Sequence, residues 1–219
     1  NVGGNPYSAA TGGDYLFVSS SSGGTRRVHI TNLTVESVGC PGTYGVVGDP
    51  GGDIAWLGGY FTGNGVYKAN FANNTCVNYN TGSVVTAITM DLAGNIWACG
   101  YNTNTIHKIS PAGVILGTYP AGGTSPHGMS IDFQGNLWVI NHGPTPNVTK
   151  VNVNTGAIIG TYPLGGPGVP NADPYLYSDF TGTQIDRQAP YTYVGSWEGS
   201  YDGGANGIPW SKVTWNTEP

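Results

Sequence analysis

One motif recurs at a fixed interval, and that interval limits what the chain can fold into. Asp91-Leu-Ala-Gly94-Asn95-Ile96-Trp97 returns as Asp132-Phe-Gln-Gly135-Asn136-Leu137-Trp138, 41 residues later (132 − 91). A related segment, Asp49-Pro-Gly-Gly52-Asp53-Ile54-Ala55-Trp56, comes one period earlier, so Trp56, Trp97 and Trp138 are evenly spaced. A weaker copy, Gly13-Asp14-Tyr15-Leu16-Phe17, puts Phe17 in the aromatic place. Repetition at this period belongs to stacked units, each of which needs a neighbour to bury its apolar face.

Every period has the same internal order. A short apolar segment ends in Asp, as in Thr86-Ala-Ile-Thr-Met-Asp91 and His127-Gly-Met-Ser-Ile-Asp132. A Gly-Asn or Gly-Asp turn follows and supplies the positive φ that a hairpin needs. The aromatic strand is next. A third strand carries a basic tag (Val66-Tyr-Lys68, Ile106-His-Lys108, Val148-Thr-Lys150), and a fourth, such as Val114–Tyr119 or Ala157–Tyr162, closes the unit. Four short strands per period predict an all-β propeller of four-stranded blades. A sandwich would not repeat one motif at a constant interval, and a parallel β-helix has shorter repeats. About four to five blades are expected over residues 1–182, and the ring they form is expected to be incomplete. Asp173–Gly182 looks like the first strand and turn of a fifth blade without its Gly-Asn-Trp signature. Residues 183–219 read as a β-rich C-terminal extension that opens a sandwich, from Tyr191–Trp197, a turn at Asp202-Gly203-Gly204, and Trp210–Trp215.

Charge excludes some partners. Only 9% of the 219 residues are charged and the net charge is −5, against a usual charged share of about 25%. Phosphate binding needs clustered Lys and Arg, and Arg26-Arg27 is the sole basic pair. Nucleic acid is therefore not an expected partner. The longest apolar stretches are strand-sized, so no membrane span is expected. The chain opens at Asn1 without Met, which reads as a processed form or a piece of something longer. Among three cysteines, Cys99 follows Trp97 in what reads as an inner strand, and is expected to be a buried small apolar residue. Cys40 and Cys76 lie in neighbouring repeats and are a candidate disulfide in an oxidising compartment. Spacing alone leaves that pairing open.

The segment Pro126-His127-Gly128-Met-Ser-Ile-Asp132-Phe-Gln-Gly135-Asn136-Leu137-Trp138 resembles the blade consensus of NHL-like and streptogramin lyase-like propellers. The resemblance covers roughly residues 5–182. It implies the fold, and it raises a magnesium-dependent elimination in which a mouth His works with a Glu. The sequence departs from that pattern, because its only Glu residues are Glu36, Glu198 and Glu218, none placed beside His127. A superfold also carries unrelated activities.

Several residues remain candidates for chemistry. His127 opens the inner strand of its blade and His142 follows the second strand, so both belong at one mouth of the ring. Tyr44 and Thr86 hold the matching place in other blades, which gives no repeated ligand ring. His127 and His142 are the weak catalytic candidates, and with Tyr44 they are the candidate binding residues. Asp49, Asp91 and Asp132 raise calcium ligation as one reading, but no turn gathers several carboxylates, and capping of the turn is the reading the residues favour. No metal or cofactor is required. Tyr60, Phe61, Tyr67, Tyr101 and Tyr119 form a further set that could stack on sugar rings. Asn32, Asn73 and Asn147 begin Asn-x-Thr triplets, the glycosylation acceptor pattern. The function expected from these features is non-enzymatic: an extracellular or cell-surface propeller for binding, adhesion or scaffolding. Self-association or other domains of the same polypeptide are its expected partners. A lyase and a carbohydrate-binding module are the alternatives.

Overall fold

A computed structural model describes residues 4–165 and 174–176. The expected extension at 183–219, with Glu198 and Glu218, lies outside the described residues. Among the described residues sixteen strands form four antiparallel sheets, each taken up in chain order. Blade 1 holds β1 (Pro6–Gly12), β2 (Tyr15–Ser20), β3 (Thr25–His29) and β4 (Val35–Val38). Blade 2 holds β5 (Val46–Gly48), β6 (Ile54–Gly58), β7 (Val66–Asn70) and β8 (Thr75–Tyr79). Blade 3 holds β9 (Val85–Met90), β10 (Ile96–Gly100), β11 (Thr105–Ile109) and β12 (Ile115–Pro120). Blade 4 holds β13 (Pro126–Ile131), β14 (Leu137–Asn141), β15 (Asn147–Val151) and β16 (Ile158–Pro163). The inner strands β1, β5, β9 and β13 pack in succession, giving a partial propeller. Among the described residues no helix is long and apolar enough to cross a membrane.

Burial follows this radial order. The inner strands β9 and β13 are buried along their whole length, while the outer strands β12 and β16 are largely exposed. Three apolar cores lie between blades. Phe17 and Val38 meet Val46, Leu57 and Ala69 at the first junction. Trp56 and Val66 meet Val85, Ile88 and Ile109 at the second. Trp97 and Ile106 meet Met129, Leu137 and Val151 at the third. The periodic aromatic residue is thus the wedge between one blade and the next, and removing such a ring costs about 3–5 kcal/mol. Cys99 is fully buried in the third core on β10, the second strand of its blade rather than an inner one. Burial pushes its thiol pKa up.

The repeated Asp caps its hairpin. Asp91 Oδ1 accepts the backbone N–H groups of Ala93 and Asn95, and Oδ2 accepts the indole N–H of Trp97 at 3.1 Å. Asp132 does the same for Gln134, Asn136 and Trp138. Burial raises the Asp132 pKa, but the Trp138 indole, the Asn136 donors and Lys150 outweigh it and hold the carboxyl below its ordinary value. In blade 2 the backbone pairs Asp49 with Ile54, as Asp91 pairs with Asn95. Asp53 is therefore the extra residue of that turn, one place away from where the sequence alignment of the motifs puts it. It is used at the first junction, where Arg27 bonds Asp53 at 2.9 Å and Glu36 at 2.8 Å. Arg27 is buried between Tyr15 and Phe71, so half of the basic pair is a structural cation.

Cys40 and Cys76 form a disulfide, with Cα atoms 5.5 Å apart. It ties the end of blade 1 to the outer strand of blade 2.

Candidate functional site

The inner strands begin, and the second strands end, at one mouth of the propeller, and aromatic rings collect there. Tyr44, just before β5, lies at the centre. Its ring centroid is 4.4 Å from Tyr7 of β1, 5.0 Å from Tyr60 and 5.6 Å from Phe61. Tyr60 and Phe61 follow β6 after Gly59, and Tyr101 follows β10. Tyr101 stands 5.9 Å from Tyr60 and 6.1 Å from His127. His127 is in turn 5.4 Å from His142 and 4.2 Å from Tyr175. Most of these pairs are tilted or edge-on, the arrangement that ring quadrupoles prefer. Eight described rings from all four blades and from Tyr175 are linked in this way.

A hydrogen-bond chain runs through the middle of this cluster. The Tyr44 hydroxyl is 3.0 Å from His127 Nε2 and 2.7 Å from the Tyr175 hydroxyl. His127 Nδ1 lies 3.3 Å from the carbonyl oxygen of Leu176. That oxygen can only accept, so Nδ1 carries the hydrogen. In the neutral ring Nε2 then accepts from Tyr44, and Tyr44 accepts from Tyr175. His127 is buried, whereas Tyr7, Phe61 and Tyr175 are 37%, 40% and 50% exposed. The mouth therefore has an ordered polar centre and an accessible aromatic rim.

The structure unites residues that the sequence presents as separate sets. Tyr44, His127 and His142 meet as their positions in the repeat suggest. Tyr60, Phe61 and Tyr101, singled out as surface aromatics, join them. Tyr67 does not, since it is buried in the first junction core. Tyr119 lies 5.9 Å from Trp97 and packs against the third core. Tyr7 and Tyr175 also belong to the cluster, although neither stands in a repeated motif. Tyr7 opens the weakest copy of the repeat, where no motif marks it. The other recurring candidates are engaged elsewhere. Thr86 donates to the carbonyl of Pro126 at 2.9 Å. Asn32 and Asn73 are exposed in the outer turns of blades 1 and 2, where each side chain accepts the hydroxyl of its own Thr. Asn147 lies within β15, its amide between Asn141 and the carbonyl of Gly122.

The magnesium ion implied by the resemblance can be tested against these groups. Mg²⁺ takes hard oxygen ligands, carboxylates above all. The mouth offers phenols and imidazoles. Among the described residues no three His, Cys, Asp or Glu side chains converge to hold a metal. Asp49, Asp91 and Asp132 are spent inside their own turns. The described residues do not fit the ion.

Solved structures with this architecture are similar over most of the chain. A catalytically inactive virginiamycin B lyase from Staphylococcus aureus with quinupristin matches with a TM-score of 0.67 at 18% identity, over 80% of this chain and 60% of that one. The fold is that of the virginiamycin B lyase propeller. A streptogramin B lyase structure matches with a TM-score of 0.64, again at 18% identity, over 80% and 59% of the two chains. An auxiliary nutrient binding protein from Bacteroides thetaiotaomicron matches with a TM-score of 0.56 at 10% identity, over 79% and 44%. This chain thus spans about three fifths of the length of the virginiamycin B lyase, and at this identity the likeness is one of fold. No family model and no curated protein matches the sequence.

Proposed function

We propose that this propeller is a non-enzymatic extracellular binding module whose ligand docks at the aromatic mouth. The observation that carries the reading is the linked set of rings around Tyr44, with its exposed rim at Tyr7, Phe61 and Tyr175. Tyrosines with a polar tip and a flat apolar face suit a sugar ring or another flat ligand that also offers hydroxyl groups. The low charge of the chain fits a neutral ligand. The Cys40–Cys76 disulfide supports an extracellular setting, since such bonds persist in oxidising compartments. A glycan array on the folded protein tests the carbohydrate form of the reading. Binding that falls at least tenfold in Phe61→Ala is the expected result, and a blank array would remove it.

A lyase is the second reading, and the His127–Tyr44 contact favours it. A neutral imidazole bonded to a phenol can accept a proton from a substrate that displaces the phenol. The reading predicts turnover of a streptogramin B substrate, lost in His127→Ala. Equal rates for the two proteins would remove it.

A further inference from the structure

The hairpin turns of blades 3 and 4 close on themselves, and the turn of blade 2 does not. The Asp91 carboxylate accepts the Trp97 indole N–H and, through both oxygens, the Asn95 amide at 3.3 and 3.1 Å. Lys108 stands 3.7 Å from the same group. Asp132 holds Asn136 and Trp138 in the same way, with Lys150 at 3.3 Å. Asp49 is one residue farther from its tryptophan: 56 − 49 is seven, and 97 − 91 is six. The backbone absorbs the extra residue by pairing Asp49 with Ile54, so Ile54 takes the place of Asn95. Isoleucine has no amide to offer. Asp49 Oδ1 still caps the Ile54 N–H at 2.7 Å, but Oδ2 receives only the Gly51 N–H at 3.2 Å. Among the described residues the Trp56 indole N–H has no acceptor, and Lys68 makes no ion pair with Asp49. Lys68 turns instead to the carbonyl of Pro111 at 2.8 Å. Its other ammonium hydrogens are left to donate.

A cavity of about 220 Å³ opens at this place, between the turn of blade 2 and the turns of blade 3. Asp49, Trp56 and Lys68 line it together with Ile54, Met90 and Pro111. It lies at the end of the propeller opposite the aromatic mouth, since the inner strands begin at the mouth and end at these turns. An engineered cavity of about 150 Å³ holds benzene, so by proportion this one takes about nine non-hydrogen atoms. Mostly apolar walls with a few polar groups are the usual make-up of a small-ligand site. Here the polar groups are a carboxylate, an ammonium and an indole donor. Lys68 Nζ sits 5.1 Å over the Trp56 ring, so the two donors are neighbours. A ligand with a carboxylate alone would set it against Asp49, and one with an ammonium alone would set it against Lys68. A charge that leaves water needs a partner of its own. We propose that the cavity binds a small zwitterion with an apolar body, the chemistry of a free aliphatic α-amino acid. Its carboxylate accepts from the Trp56 indole N–H and from Lys68, and its ammonium donates to Asp49. Its side chain lies against Ile54 and Met90. The site is separate from the mouth and from the ligand proposed there.

Free L-leucine, which is of this size, is the probe, and the indole N–H resonance of Trp56 in the full chain is the readout. Titration with leucine is expected to shift that resonance to saturation, while the bonded indoles of Trp97 and Trp138 stay in place. Isocaproate lacks the ammonium and isoamylamine lacks the carboxylate. Each is expected to need at least a tenfold higher concentration for the same shift. Two variants assign the charges. Asp49→Asn should lose the preference for leucine over isocaproate, and Lys68→Gln the preference over isoamylamine. A loss of fold would move the Trp97 and Trp138 resonances as well, and in that case the wild-type series decides alone. A Trp56 resonance that leucine does not move, equal affinity for the three compounds, or folded variants that keep both preferences would overturn the proposal.

Discussion

The hydroxyl of Tyr44 and Nε2 of His127 lie 3.0 Å apart, although 83 residues separate them in the chain. Each stands at the entry of an inner strand, with the whole of blade 3 between them in sequence. Their contact brings blades 2 and 4 together across the mouth. In Tyr44→Phe the ring contacts are kept and the hydroxyl is lost. Leaving a buried imidazole nitrogen without that partner costs about 1–3 kcal/mol. Urea titration of the two proteins measures it. A change within ~0.5 kcal/mol, the range of an ordinary surface substitution, would mean that the bond does not order the mouth.

The Cys40–Cys76 disulfide closes a loop across the first junction, with a sequence separation of 36. Chain-entropy reasoning gives about 4 kcal/mol for a loop of this length. Cys40→Ser/Cys76→Ser is expected to lower the unfolding free energy by an amount of that order. Adding reductant to the wild type should have the same effect, and should do nothing further to the variant.

Gly113→Ala forces a side chain into the Tyr79 ring and places it at positive φ. Overpacking alone costs about 1–3 kcal/mol. The two contributions can be separated with Tyr79→Ala, which removes the ring and keeps the backbone conformation. The cost of Gly113→Ala should shrink by at least ~1 kcal/mol in that background. Equal costs in both would show that Tyr79 does not hold the blade 3 turn.

His107 supplies a pH dependence. It is buried between the hydroxyls of Thr105 and Thr118, and burial lowers its pKa from the ordinary 6.5. Between the unfolded and folded values the unfolded chain binds the extra proton, so stability falls as the pH drops below about 6.5. Unfolding midpoints measured from pH 7.5 to 5 should show this decline. His107→Gln should flatten the part of it that His107 causes. An unchanged slope would assign the decline to other groups.

The blade architecture was legible because its cause is periodic. A sheet with two apolar faces needs a neighbour on each side, so the residues that serve one junction reappear at the next, as Trp56, Trp97 and Trp138 do. Asp91 and Asp132 were legible as turn caps for a related reason, since their partners lie within six residues. The placement of His127 and His142 at one mouth followed from strand order alone. The cysteine pair was different. Cys40 and Cys76 could be named as candidates, but whether they meet depends on how one blade's end lies against the next blade's outer strand.

The repeat thus determined, from the sequence alone, the four-stranded blade and the order of its strands, the wedge residues and the end of the propeller that carries the histidines. Only the tertiary structure decided which aromatics share that end. Tyr60, Phe61 and Tyr101 join Tyr44 and His127, while Tyr67 and Tyr119 turn into the junctions. The reason is geometric. Strand alternation tells which face of a blade a side chain takes, but contact between rings on different blades depends on the rotation from one blade to the next. That rotation is set by the packing of whole faces, and no local run of residues records it.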